Sequence, residues 1–152
     1  MPISEYLRGV RARVGHDLLL IPSVGALIHD RAGRVLLAVR SDNGELMLPG
    51  GAIDPGEGPR AAVVREVREE TGLEVVPAHL VGVVGPYPVV YPNGDRVEYT
   101  GIMWWCEVVG GVLAPLDGEC AGFRWVEPDG VPPLGYPPSV FAWRPGMPPV
   151  IS

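Results

Sequence analysis

One stretch of this chain is bracketed as a helix at both ends. Pro59 suits a first helical turn, where its missing N–H leaves no bond unmade, and Gly72 suits the residue just past a helix end. With residues at about 100° intervals, Val63, Val64, Val67 and Thr71 form one apolar stripe and Glu66, Glu69 and Glu70 share an adjacent arc. A helix over 58–71 is therefore expected, and most of the chain around it reads as strand or turn. The runs LLLIPSVGALIHD and RVLLAVR flank the turn-forming DRAG and read as a hairpin or two neighbouring strands. LEVVPAHLVGVVG and VEYTGIMWWCEVVGG are strand-like and separated by YPNGD, an Asn-Gly turn signal.

The two ends of the chain differ from this centre. Ser4 is a candidate N-cap, and Leu7, Val10 and Val14 follow at helical spacing, so a short amphipathic helix is expected within residues 1–16. Eight of the 22 residues between Pro128 and Pro149 are proline, which predicts an extended tail over 128–152. Tyr136, Phe141 and Trp143 would be costly to leave in water, so the tail is expected to pack on its own domain or on a neighbouring subunit. With 152 residues, 47% of them hydrophobic, and no internal repeat, a single domain is the expectation.

Charge and cysteine content narrow the chemistry. A net charge of −6 with no basic run disfavours a nucleic-acid polymer as partner. An acidic chain can still act on a small polyphosphate when divalent cations stand between its carboxylates and the substrate. Cys106 and Cys120 form neither a CxxC pair nor a histidine-associated cluster, so reduced, buried thiols are expected. The N-terminus lacks a signal pattern and the apolar stretch 18–28, interrupted by Pro22, is too short to span a bilayer. A cytoplasmic location and no membrane partner are expected.

The carboxylates of the central helix admit two readings. One is a solvated face with ion pairs, because Arg65 and Glu69 are four residues apart and such a pair contributes about 0.3 kcal/mol. The other is a cation site, because Glu66 and Glu70 share that spacing with like charge, an unfavourable arrangement that a cation reverses. The preceding loop supports the second reading. Gly50 and Gly51 bring bare backbone close to a ligand, and Glu57 can join the other acids if the loop folds back.

Gly51, Glu57, Arg65, Glu66, Val67, Glu69, Glu70, Gly72 and Leu73 together resemble the Nudix box: a glycine, five residues, glutamate, seven residues, then REUxEExGU with U aliphatic. The looser resemblance extends over about residues 18 to 126, including LPGG and FRWV. It implies an α/β fold, a Nudix-type α/β/α sandwich around a mixed β-sheet. It also implies a Mg²⁺-dependent hydrolase, with Mn²⁺ as the alternative ion, acting on a nucleoside diphosphate joined to another moiety.

Carried over by position, Glu69 and Glu70 resemble metal ligands, Glu66 a ligand or the general base, and the Gly50 carbonyl a further ligand. Glu57 resembles the acid that holds the loop and reaches metal through water, and Arg65 is assigned to orienting a glutamate at the catalytic centre. Glu119 resembles a downstream loop glutamate that ligates metal or acts as base in some members; the other reading is a surface acid. Leu46 and Arg60 depart from the family, which often has tryptophan and an acid there.

Substrate markers conflict. Pro88 and Tyr91, fifteen and eighteen positions after Leu73, resemble the markers of ADP-ribose pyrophosphatases and of diadenosine polyphosphate hydrolases respectively. Gly51, Tyr87 and Tyr91 are the candidate substrate contacts, with Tyr99, Trp104 and Trp105 as further aromatic surface. Tyrosine and tryptophan at such positions also serve as core, and in a strand one ring of Trp104–Trp105 should face inward and the other outward. His16, His29 and His79 are read as structural, and no serine or cysteine has an activating partner, so direct attack by water is expected. A non-catalytic nucleotide-binding or sensing module is the alternative function, and family precedent allows a homodimer.

Overall fold

The computed structural model describes residues 3–152, so the first two residues of the segment expected to be helical lie outside the description. In chain order the elements are α1 (Glu5–Val14), β1 (Leu19–Ile28), β2 (Val35–Arg40), β3 (Leu46–Met47), β4 (Gly50–Ala52), α2 (Pro59–Thr71), β5 (Leu73–Val90), β6 (Arg96–Gly111), β7 (Cys120–Val126), α3 (Pro138–Ala142) and β8 (Val150–Ile151). A mixed sheet runs β4-β1-β6-β5-β8, and an antiparallel sheet runs β3-β2-β7.

Strand alternation sorts the apolar side chains into two layers. Val24, Ala26 and Ile28 of β1 and Trp104 and Cys106 of β6 meet Ala62, Val63 and Val67 of α2. Their odd-sided neighbours Leu27 and Met103 meet Val140, Phe141 and Trp143 from the C-terminal segment. Helices therefore cover both faces of the mixed sheet, the α/β/α arrangement. The Trp104–Trp105 expectation fails for this reason: with both faces covered, neither ring is left outward. Trp104 lies under the Arg60 guanidinium, 4.6 Å from its ring centroid, while Trp105 stacks on His29 at 4.0 Å. Arg60 also donates to the Pro77 carbonyl, so this departure from the family ties α2 to β5.

Two other expectations need correcting. β1 and β2 share one bridge, His29 to Val35, and then enter different sheets rather than forming a continued hairpin. The tail is not extended throughout. Pro138 occupies the start of α3, where the ring's fixed φ is compatible with a helix and no N–H is required. Beyond it, Val150 and Ile151 pair in parallel with Gly82 and Val83.

The helix that carries the box begins and ends as its glycines and proline dictate. Gly58 is its N-cap, Pro59 lies in the first turn, and Gly72 terminates it in the left-handed conformation at φ 75°. Thr71 Oγ1 donates to the Val67 carbonyl at 2.6 Å and accepts from the Leu73 amide at 3.1 Å, carrying the chain directly into β5. At the sheet's opposite end, Ser4 caps α1 by accepting from the Leu7 amide. Cys106 and Cys120 are free and buried, and burial pushes the Cys106 thiol up to about 12.

Candidate active site

Strand β4 pairs with β1 so that Gly50 stands opposite Gly25 and Gly51 opposite Val24. A β-carbon at Gly50 would collide with the Val24 carbonyl oxygen, so only glycine allows this approach. The chain then turns through 53–58 and folds back on Arg65. From Nε and Nη2, Arg65 donates to the two oxygens of Glu57 at 2.7 and 2.8 Å, a fork-to-fork pair. It also donates to the Ala52 carbonyl at 3.1 Å and to Glu66 Oε1 at 2.9 Å. The guanidinium holds the Glu57 carboxyl below the ordinary range.

The helix acids divide by burial. Glu66 and Glu70 are 1% and 3% exposed, whereas the Glu69 side chain is 52% exposed and 3.5 Å from Arg65. Glu66 Oε2 is buried with no hydrogen-bond partner. Glu70 Oε2 accepts from the Gly50 amide at 3.2 Å. Burial raises the pKa of both carboxyls; Glu66 adds like-charge repulsion to Glu70, and Arg65 partly offsets the rise at Glu66. The solvated-face reading therefore fails for Glu66 and Glu70, which face the fold's interior. The three acids are not gathered at one point either. Among the described residues, no three Asp, Glu, His or Cys side chains cluster tightly enough to hold a metal as they lie. Arg65 draws Glu57, Glu66 and Glu69 toward itself instead.

A cleft of about 1030 Å³ opens beside this cluster, and Gly50, Gly51, Glu70, Glu119, Tyr87 and Tyr91 all line it. Glu119 reaches it from the loop before β7, held by the Ser41 amide, which donates to the Glu119 carbonyl at 2.8 Å. Tyr87 stacks on Tyr99 at 5.3 Å, and its hydroxyl lies 3.0 Å from Ser23 Oγ. The Tyr91 and Tyr99 hydroxyls are 2.6 Å apart. Among the described residues, Arg40 is the one cationic side chain in the lining, and it pairs with Asp42 through bonds of 3.0 and 2.7 Å.

The cleft thus unites Gly50, Gly51, Glu70, Glu119 and both tyrosines, while Glu57, Arg65, Glu66 and Glu69 do not line it. Ser23, Arg40 and Tyr136 line it too and were not anticipated as site residues. Tyr136 carried a signal, an aromatic side chain in a proline-rich tail. Ser23 and Arg40 carried none, because only strand pairing brings them there.

Comparison with known proteins agrees with this architecture. A sequence model of the NUDIX domain matches residues 19–144. An RNA pyrophosphohydrolase of Erythrobacter litoralis is 34% identical over 139 residues, 80% of this chain and 84% of that protein. A MutT-like protein of Streptomyces ambofaciens is 36% identical, over 72% of this chain and 65% of its own length. A crystal structure of an ADP-ribose pyrophosphatase from Streptococcus suis superposes with a TM-score of 0.64 at 26% identity, over 86% of this chain and 96% of that one. Sheet, box helix and sequence similarity agree, and the chain belongs to the Nudix hydrolase family.

Proposed function

We propose that this protein is a Mg²⁺-dependent pyrophosphohydrolase that cleaves a phosphoanhydride bond of a small nucleotide by attack of water. The observation that carries the reading is the buried Glu66–Glu70 pair, four residues apart, with one member holding the backbone of Gly50 at the cleft. Two buried acids without a cation between them are unfavourable, and Glu66 Oε2 has an unused lone pair. The available donors are all oxygens, which suits a hard ion such as Mg²⁺ and also accommodates Mn²⁺.

Glu66, Glu69 and Glu70 and the Gly50 carbonyl would hold the ion, with Glu57 reaching it through water. The bound cation supplies neutralisation of the diphosphate charge. Arg65 keeps Glu57 and Glu66 oriented. Gly51 lets the substrate phosphates approach the backbone, and Glu66 or Glu119 takes the proton from the attacking water. Among the described residues the one cationic side chain of the cleft lining is Arg40, paired with Asp42, so a bound cation would supply the further positive charge that a diphosphate requires.

A cleft of about 1030 Å³ suits a molecule of nucleotide size. The relative named as an RNA pyrophosphohydrolase makes a 5′-triphosphorylated RNA the second candidate; the net charge of −6 weighs against it. The test is phosphate or pyrophosphate release from nucleoside triphosphates, 8-oxo-dGTP, ADP-ribose, diadenosine polyphosphates, nucleotide sugars and a 5′-triphosphate RNA, with Mg²⁺, Mn²⁺ or chelator. Turnover of a small nucleotide that chelator abolishes is the expected result. Faster turnover of the RNA would overturn the substrate class, and folded protein inactive on the whole panel would leave the binding-module reading.

A further inference from the structure

The C-terminal segment contributes Pro132, Pro133, Leu134 and Tyr136 to the same cleft that contains Glu70, Gly50 and Glu119. This piece is fixed at both ends. Before it, Gly130 donates to the Glu127 carbonyl at 2.8 Å in a short 3₁₀ turn. After it, Val140, Phe141 and Trp143 are 0%, 5% and 3% exposed in the second core, and β8 joins the edge of β5. Residues 132–136 are therefore a held wall and not a loose linker.

Tyr136 is the centre of that wall. Its ring meets Tyr87 edge-on with centroids 5.1 Å apart, and its hydroxyl donates to the Tyr87 hydroxyl at 3.4 Å. Tyr87 in turn reaches Ser23, which pairs with Ala52 on β4 next to Gly51. One connected path thus runs from the tail to the glycine strand where the phosphates are assigned. The chemistry changes from carboxylates and bare backbone to the phenol rings of Tyr87, Tyr91, Tyr99 and Tyr136 with Pro132, Pro133 and Leu134. Among the described residues, Arg40 is the cationic side chain of the cleft lining, and it is paired with Asp42. The aromatic end offers flat apolar surface with a few hydroxyls, which fits an uncharged planar ring and does not fit a second phosphate.

We propose that the segment 132–136, through Tyr136 packed on Tyr87, is the specificity element that seats the nucleobase of the substrate. The inference rests on the phosphate end lying at the Glu70–Gly50 side, as in the proposed function. The tail is thereby a working part of the site, besides covering the second face of the sheet.

The test compares AMP with ribose 5-phosphate, which has the same sugar phosphate and no base, by calorimetric titration of the full chain in Mg²⁺. Tyr136→Leu removes the ring and Tyr136→Phe removes only the hydroxyl. Wild type is expected to bind AMP more tightly than ribose 5-phosphate. Tyr136→Leu should lose about fivefold or more of the AMP affinity, the usual scale of one base–aromatic contact, with ribose 5-phosphate unchanged. Tyr136→Phe should retain most of the preference. Equal binding of the two ligands by wild type overturns the proposal, as does a folded Tyr136→Leu protein that keeps the full preference. If Tyr136→Leu fails to fold, Leu134→Ala carries the same comparison and the same two outcomes. Because binding is measured directly, absence of turnover would count against the proposed hydrolase and leave this result independent.

Discussion

Arg65 grips Glu57 with two parallel hydrogen bonds of 2.7 and 2.8 Å across eight residues of chain, closing the loop between β4 and α2 onto the helix. Lysine keeps the charge but cannot make the fork. Arg65→Lys is expected to lower stability by roughly 1 kcal/mol in urea unfolding, because the pair is partly solvated. Turnover should fall by about 10- to 100-fold, the usual cost of losing a residue that orients ligands. Unchanged turnover would remove Arg65 from the site.

Glu70→Gln keeps an oxygen able to accept from the Gly50 amide but discards the charge. The folded protein should be as thermostable as wild type or more so, since the desolvation of a buried carboxylate and its repulsion from Glu66 are both gone. Metal-dependent turnover should drop by on the order of 100-fold or more. Paired melting curves and rates check both halves, and near-wild-type rates would exclude Glu70 as a ligand.

Gly50→Ala puts a methyl group into the Val24 carbonyl, and a backbone oxygen cannot move aside as a flexible side chain can. A loss of about 1 to 3 kcal/mol is expected by chemical denaturation. Gly50 is not at positive φ, so its cost is the collision alone, whereas Gly118→Ala, at φ 77° with open space around it, isolates backbone strain. Its destabilisation would come from φ alone.

His29 is stacked on Trp105, and neither ring nitrogen has a hydrogen-bond partner. Burial lowers its pKa from 6.5 to about 4, with the nearby Arg144 charge adding to the shift. Between these values the unfolded chain binds the proton and the folded one does not. Stability therefore rises with pH across that window and is lost as pH falls from about 6.5 to about 4. Unfolding free energies measured through this range should show a positive slope that His29→Phe reduces. An unchanged slope would assign the acid sensitivity to other groups.

The box helix was legible because its signals are local: Pro59 and Gly72 act on their own backbone, and Val63 and Val67 are spaced by the helix itself. The β5–β6 hairpin was legible for the same reason, its turn being set by Asn93 and Gly94. The fate of β2 was not, because a hairpin reading of DRAG is satisfied by one bridge and the sheet it joins is chosen by β7, some 80 residues later. Trp104 and Trp105 were half legible. Alternation placed them on opposite faces, but only the tail's return decided that the second face is covered.

By itself, then, the sequence determined the helix, its carboxylates and the glycines before it, since each depends on backbone geometry within a few residues. The tertiary structure decided that Glu66 and Glu70 are buried while Glu69 is not, that Arg65 gathers Glu57, Glu66 and Glu69, and that the proline-rich tail walls the cleft. Burial and charge pairing depend on what packs from distant parts of the chain, and no local pattern carries that information.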